Sequence, residues 1–416
     1  MQGFVRRYPD FTRLWIGQTL SQLGSQVTLV ALPLLAITTL DASTLQVGLL
    51  AAAETVPFLI LGLPAGVWVD RRRRRPILVY ADVVRGLLLA SIPITHAFDS
   101  LHVAQLYVVA VGVGACTVLF DVAYQSYVPA LVPPDRLLDA NARLEVSYSA
   151  AGLVGPGLGG LLVQALRAAT AIVVDAVSYA VSALCILRIR SEEAEPDRSA
   201  SAATGMGAAV REGLQYVFGH ALLIRIALCS GLYNMFSGLS MAVFLVYAVR
   251  QLEVSAATIG LIFSAGGLGA LTGTLLSSRT GRRWSVGTAL SVGALVQGSA
   301  FLLVPAAPPA APVPFFLAAM LLESTFNPLY NVTQISLRQT ITPPHLYGRM
   351  TATMRFLVWG ALPLGSLLGG VLGDSLGLRN TLWVGAVGTS LSALPVLFGP
   401  LRKLREMPEP AVVSEL

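Results

Sequence analysis

The stretch Gly66–Gly86, GVWVDRRRRRPILVYADVVRG, places five consecutive arginines, Arg71 to Arg75, directly behind Asp70, with long apolar runs on both sides. A basic run of this kind serves nucleic acid, a membrane surface, or the anchoring of segments that cross a bilayer. The surrounding sequence decides among them. Of the 416 residues, 55% are hydrophobic and 12% are charged, and the mean hydropathy is +0.70. Soluble domains carry about 25% charged residues, and no water-soluble core absorbs this much apolar surface. The class is an all-α polytopic membrane protein. With apolar spans on either side, the arginines reach only a membrane face, and nucleic acid falls away as a partner.

A span needs about 20 mostly apolar residues. Such segments lie near 12–39, 45–69, 76–97, 102–128, 142–166, 169–188, 221–248, 256–278, 284–304, 313–337, 349–373 and 378–399, which makes twelve. With the N-terminus in the cytoplasm, the inner side receives Arg6, Arg7, Arg71 to Arg75, Arg136, Arg188, Arg190, Arg198, Arg211, Arg279, Arg282, Arg283, Arg402, Lys403 and Arg405. The outer side receives only Arg167, Arg250 and Arg379. The positive-inside rule therefore expects both termini in the cytoplasm, which an even number of spans allows. The N-terminus lacks a signal-peptide cleavage pattern, so the first apolar segment is expected to stay as a span. Residues 189–220 are polar and mixed in charge, then faintly amphipathic. They read as a cytoplasmic linker between a bundle at 1–188 and a bundle at 221–416, with a short surface helix in the second part.

The two halves repeat. Phe120, Tyr124, Pro133-Pro134 and Gly159-Gly160 match Phe326, Tyr330, Pro343-Pro344 and Gly369-Gly370 after a short insertion, and Ser182-Ala183-Leu184 matches Ser392-Ala393-Leu394. A second match joins the stretch from Val47 to the stretch from Ile259. Two six-span halves in parallel repeat are the expected architecture.

Two motifs carry a specific resemblance. Gly66, Asp70, Arg71 and Arg74 fit the loop pattern G-x-x-x-D-R-x-G-R-R between the second and third spans of the major facilitator superfamily; the family's inner glycine is Arg73 here. Gly155, Pro156, Gly159 and Gly160 fit the G-P-x-x-G-G core associated with antiporters in the same superfamily. The run from Phe120 to Gly160 resembles the branch that contains enterobactin exporters and macrolide-efflux proteins. The resemblance implies a twelve-helix major facilitator fold of two pseudo-symmetric six-helix bundles, in the cytoplasmic membrane of a bacterium. It also implies that Asp70 and Arg71 act as a gate on the inner side, Asp70 against the start of span eleven near Arg349. Arg72 to Arg75 are then mainly a topological anchor. By the same resemblance, Asp121 pairs with Arg71 or a neighbouring arginine when the gate closes.

Charges inside spans cost at least about 2.5–3.5 kcal/mol, so each is a functional candidate. Glu323 leads a polar stripe, Glu323, Asn327, Tyr330, Asn331 and Gln334, on one face of span ten. Loss of water disfavours a bare carboxylate, which suits Glu323 to taking up and releasing protons; the other reading is a carboxyl hydrogen-bonded to a neighbouring helix. Glu54 is a second protonatable group or a buried, capped acid. Asp121 completes the set expected to couple protons. Asp82 and Arg85, three residues apart, are expected to neutralise one another. Asp175 has no assigned role, and Glu145 and Arg355 read as structural. Gln18, Gln22 and Gln26 in span one, with Ser21 and Ser25, and Asn234 in span seven, with Tyr233, either line a central cavity or hydrogen-bond between helices. Neutral polar groups beside Phe236 and Trp359 suit a large amphiphile.

The four histidines form no ligand set, the three cysteines show no C-x-x-C spacing, and no G-x-x-x-x-G-K-[ST] is present. No metal, no organic cofactor and no ATP drive are expected; the energy source expected is the proton gradient. The reading is a monomeric transporter, not an enzyme. It exports an amphiphilic small molecule such as an antibiotic, a macrolide-like drug or a siderophore, by alternating access and proton antiport. An uptake symporter for a nutrient and, in another class, a lipid scramblase are the alternatives.

Overall fold

The computed structural model describes residues 7–70, 72–191, 193, 206–280 and 283–408. Apolar runs become helices wherever the sequence stays free of turn residues for long enough. The first half gives α1 (Pro9–Thr38), α2 (Thr44–Asp70), α3 (Arg74–Ala97), α4 (Val103–Leu131), α5 (Leu137–Leu166) and α6 (Ala168–Leu187). A linker helix, α7 (Met206–Gly219), follows. The second half gives α8 (Ala221–Val246), α9 (Ala256–Thr280), α10 (Val286–Ala300) with the short α11 (Leu303–Ala306), and α12 (Pro312–Ile341). It ends with α13 (Pro344–Trp359), α14 (Ala361–Leu376), α15 (Leu378–Leu391) and the single turn α16 (Leu394–Leu397). The pairs α10–α11, α13–α14 and α15–α16 each interrupt one span, so the twelve expected spans are all present.

Eleven of these are long and apolar enough to cross a membrane by composition among the described residues. The twelfth is α12, whose 30 residues give ample length. Glu323, Asn327, Asn331 and Gln334 lower its apolarity, so the polar stripe itself accounts for the shortfall.

By contacts the chain divides into two units, Met1–Ala202 with Val254–Ser264, and Ala203–Glu253 with Ala265–Leu416. The division falls near the expected linker, with two refinements. Helix α7 goes with the second unit because it packs on α13: Glu212 pairs with Arg349, and the Tyr216 hydroxyl donates to Ile341 O at 3.1 Å. The first turns of α9 go with the first unit because Gly260 meets Gly160 of α5.

The repeat is visible in the packing. In the first unit α1 lies against α5 and α6, and α4 against α2 and α3. In the second unit α8 lies against α14 and α15, and α12 against α10; α12 also meets α9, where Gly269 and Gly273 approach Leu321 and Thr325. The same tight turn closes the α5–α6 and α14–α15 junctions. Its hinge residue is Gly377 in the second unit (φ 84°, ψ 155°) and Arg167 in the first (φ 68°, ψ 156°). Only glycine takes this backbone without strain. Arg167→Gly should therefore raise the stability of the purified protein by about 1 kcal/mol, the relief of strain less the greater chain entropy of glycine. The check is the thermal unfolding midpoint in detergent, which an unstrained Arg167 would leave unchanged or lowered.

Candidate functional site: two polar cavities, one in each bundle

Each unit holds an open cavity lined by its own helices, with polar side chains on the wall. In the first unit the cavity has a volume of about 310 Å³ and is lined by Gln18, Gln22, Gln26, Glu54, Arg85, Asp121, Asp175 and Tyr179, among others. All three glutamines expected in span one therefore face it, as do Ser21 and Ser25. The Ser25 hydroxyl bonds the Tyr179 hydroxyl at 2.8 Å. The side-chain oxygens of Gln18 and Gln22 are buried and have no hydrogen-bond partner.

A charged cluster adjoins this cavity through Arg85. Asp82 and Arg85 form the expected ion pair, buried on α3. The Arg85 guanidinium also lies 4.4 Å from the Phe120 ring centroid and 4.2 Å from that of Tyr179. Aromatic faces on two sides replace the water that a cation loses on burial. Arg85 donates to Thr117 Oγ1 at 3.4 Å and lies within electrostatic reach of Asp121. Asp121 thus shares a cavity with Arg85; of the partners expected for it, Arg71 or a neighbouring arginine, Arg71 lies outside the described residues. Asp175, which had no assigned role, is 1% exposed, lines the cavity and accepts from the hydroxyls of Thr28 and Ser178. Glu54 stands on the same wall, on α2.

The second unit holds a larger cavity of about 680 Å³, lined by Ser230, Tyr233, Asn234, Gln297, Asn327, Tyr330, Asn331, Gln334, Arg338, Arg355 and Trp359, among others. Asn327, Tyr330 and Asn331 of the polar stripe all line it, and so does Asn234, for which a cavity wall and a bond between helices were the two readings. Asn234 Nδ2 also donates to Val358 O at 2.9 Å. The Tyr330 hydroxyl bonds Ser230 Oγ at 3.0 Å.

Glu323 sits behind this wall. Its carboxylate accepts from the Tyr233 hydroxyl at 2.6 Å, from Ser324 Oγ at 2.8 Å and from Asn327 Nδ2 at 3.4 Å. The two readings of Glu323 thus meet in one geometry, a carboxylate bonded to a neighbouring helix that also heads the stripe. The stripe is a continuous ladder: Asn331 Nδ2 donates to Asn327 Oδ1 at 2.9 Å, and Gln334 Nε2 donates to Asn331 Oδ1 at 3.1 Å. Every amide points its donor toward Glu323. Helical spacing of i, i+4, i+8 and i+11 stacks these side chains on one face, so the ladder follows from the sequence once α12 forms.

The repeat register places Asn327 where the first half has Asp121, and Glu323 where it has Thr117. Both Asp121 and Asn327 line their own bundle's cavity. Sequence reading missed Gln297, Arg338 and Thr351 as cavity residues and took Arg355 as structural. Gln297, a lone amide in an apolar span, is the one signal that was available.

The arginine run does local work. Backbone N–H of Arg74 donates to both carboxylate oxygens of Glu193, at 2.7 and 2.8 Å, and the Arg74 guanidinium reaches Glu193 at 3.3 Å. An acid at the first turn of α3 is favourable for the helix dipole. Arg75 donates to the carbonyls of Ile186 and Leu187 at the end of α6. Arg73, where the superfamily pattern has glycine, precedes α3 with φ −65° and ψ 130°, an extended backbone open to any residue. The side chain of Asp70 and all of Arg71 lie outside the described residues, so the expected gate is not seen. A Cβ at Gly66 would meet nothing within 4 Å.

The glycines of α5 are needed for close approach. A Cβ at Gly155 would stand 2.5 Å from Gln26 Cβ, and one at Gly159 would stand 2.9 Å from Val27 Cα. At Gly160 it would stand 2.3 Å from Ala256 O, while Gly157 N–H donates to Ser264 Oγ at 3.0 Å. The motif is the seam along which α5 meets α1 and the start of α9. Among the described residues, no group of three or more His, Cys, Asp or Glu could hold a metal.

Two six-helix bundles built from one repeat, each with a polar cavity facing its inner helices, define a transporter of the major facilitator type. The family model described as transmembrane secretion effector matches residues 6–414, and the chain belongs to that family of multi-pass membrane proteins. It is 30% identical over 402 residues to the multidrug efflux pump Tap of Mycolicibacterium fortuitum, covering 92% of this chain and 93% of that one. It is 25% identical over 421 residues to the enterobactin exporter EntS of Salmonella typhi, covering 98% and 96% of the two chains. In fold it matches the nucleoside transporter NupG with a TM-score of 0.72 at 11% identity, covering 94% of this chain and 98% of that one. A bacterial homologue of the iron transporter ferroportin matches with a TM-score of 0.72 at 17% identity, again covering 94% and 98%.

The Asp82–Arg85 pair yields a stability test. Removing one partner of a buried pair strands the other charge, at a cost of about 3–5 kcal/mol, whereas an apolar replacement of both is far milder. Arg85→Leu should lower the thermal midpoint in detergent more than the double change Asp82→Leu with Arg85→Leu. Equal losses would mean that the pair is not what holds these charges in the bundle.

Proposed function

We propose that this protein is a secondary active exporter, not an enzyme, of the cytoplasmic membrane of a bacterium, with both termini inside. It moves an amphiphilic small molecule outward by alternating access, in exchange for protons. The observation that carries this reading is the Glu323 ladder, which joins a carboxylate to the wall of a large polar cavity. The names of the relatives, a multidrug efflux pump and an enterobactin exporter, support the direction.

In the deprotonated state Glu323 accepts three hydrogen bonds, and the chain of amides is polarised toward it. That arrangement leaves the oxygen of the Gln334 side chain, a residue of the cavity wall, without a hydrogen-bond partner. A substrate donor on Gln334 strengthens every bond of the ladder and so favours the charged carboxylate. By linkage, a proton arriving on Glu323 removes an acceptor and weakens the hold on that donor. Proton uptake and substrate release are thereby exchanged at one site. In the first bundle Glu54 and Asp121 share a cavity with Arg85 and act as the second group of proton-exchanging acids.

The test is transport in inverted membrane vesicles under an imposed pH gradient. Wild-type vesicles should accumulate a substrate drug when the interior is acid. Glu323→Gln should abolish the dependence on the gradient, at least about tenfold in initial rate, because the amide takes up no proton. Accumulation driven instead by acidifying the outside would identify an uptake symporter, which carries proton and substrate in the same direction. Movement of lipid without any gradient, intact in Glu323→Gln, would identify a scramblase.

A further inference from the structure

The cavity of the second bundle has a charge character that the exporter reading leaves unused. Two arginines line it, Arg338 from α12 and Arg355 from α13, and no Asp or Glu is among the described residues of its wall. Neither arginine forms an ion pair with a described residue. Four buried polar atoms on this wall have no hydrogen-bond partner: Gln297 Oε1, Gln334 Oε1, Arg338 Nε and Thr351 Oγ1. Gln297 is 2% exposed and Gln334 is 5% exposed, so neither side chain is simply hydrated at a surface. Buried polar groups are almost always paired, and leaving them unpaired is costly. Of the fifteen such atoms among the described residues, four belong to this one wall, where a bound molecule can supply the missing partners.

The orphaned atoms also state what the partner must be. Two amide oxygens call for donors. The arginines call for an acceptor, best an anion, since a guanidinium bonds a carboxylate with two parallel N–H groups. The remaining wall includes Met354 and Trp359, which suit an apolar body. The first bundle has the opposite character, with Glu54, Asp121 and Asp175 around an arginine already paired to Asp82. An acid is disfavoured there and favoured here.

Resting on the exporter reading, we propose that the cavity of the second bundle binds an amphiphilic organic acid that also carries hydroxyl or amine donors. The acid group sits on Arg338 and Arg355, and the donors sit on Gln297 and Gln334. Gln334 is the last rung of the ladder to Glu323, so the donor that fixes such a ligand is the one that the coupling acid senses.

Equilibrium binding to the full-length protein in detergent micelles tests this, with carboxyfluorescein as the anionic probe and rhodamine 6G as its cationic counterpart, read by fluorescence anisotropy. Arg338→Gln and Arg355→Gln should each weaken carboxyfluorescein binding by about tenfold, the loss of one charge-assisted contact, and leave rhodamine 6G binding within about twofold. Arg338→Lys, which keeps the charge and loses the fork, should fall between, and it guards against a variant that merely misfolds. Added phosphatidylglycerol distinguishes the source of the anion: displacement of the dye identifies a lipid headgroup, and no displacement identifies a free acid. The proposal is overturned if wild type shows no saturable binding of carboxyfluorescein, if both arginine variants bind it as wild type does, or if the cationic probe loses affinity equally. The readout needs no gradient. A failed anion site with intact transport overturns this assignment alone, and intact binding with no gradient-driven transport overturns the exporter reading alone.

Discussion

A polar group inside a bilayer has no water to turn to. Every N–H, hydroxyl and charge at that depth must find its partner within the protein, and this constraint explains most of what is particular about the chain. The helices satisfy their own backbones. Their polar side chains are left, and these gather on inward faces where they bond one another. Arg85 shows the demand most fully: one carboxylate, one hydroxyl and two aromatic rings surround a single guanidinium. Asp175 is met by two hydroxyls, and Glu323 by a phenol, a hydroxyl and an amide.

Against that background the unsatisfied atoms are informative. Among the described residues, fifteen buried side-chain atoms lack a hydrogen-bond partner, and seven of them belong to cavity residues: Gln18, Gln22 and Arg85 in the first bundle and Gln297, Gln334, Arg338 and Thr351 in the second. Duplication supplied the two cavities from one plan, and substitution made them chemically unlike. Asp121 became Asn327 across the repeat, Thr117 became Glu323, and the strained Arg167 stands where its counterpart is Gly377. The backbone has been kept while the charge has been redistributed, acidic in one cavity and basic in the other.

The arginine stretch illustrates how one motif divides its labour. Arg74 and Arg75 tie the ends of α3 and α6 to Glu193 and to the carbonyls of Ile186 and Leu187. They are therefore more than an anchor for topology, and the start of the linker is held to the first bundle by the same contacts. Arg73 occupies an extended position before α3, so the departure from the superfamily pattern carries no conformational penalty.

Composition and hydropathy determined the class and the number of spans, because a bilayer imposes length and apolarity on each segment separately and both are written along the chain, and matching residues in the two halves showed the repeat. Periodicity determined the ladder on α12, since its rungs lie on one helix at helical spacing. What tertiary structure alone decided is which residues share a cavity from different helices. Tyr233 on Glu323, Tyr179 beside Arg85, and Arg338 with Arg355 and Gln297 are pairings across sequence distances that no local pattern encodes. Arg355 read as structural from its place near a helix end, and the structure puts it on the wall of a cavity. Spacing along a helix settles which side chains stand together on that helix, and only packing settles what stands opposite them.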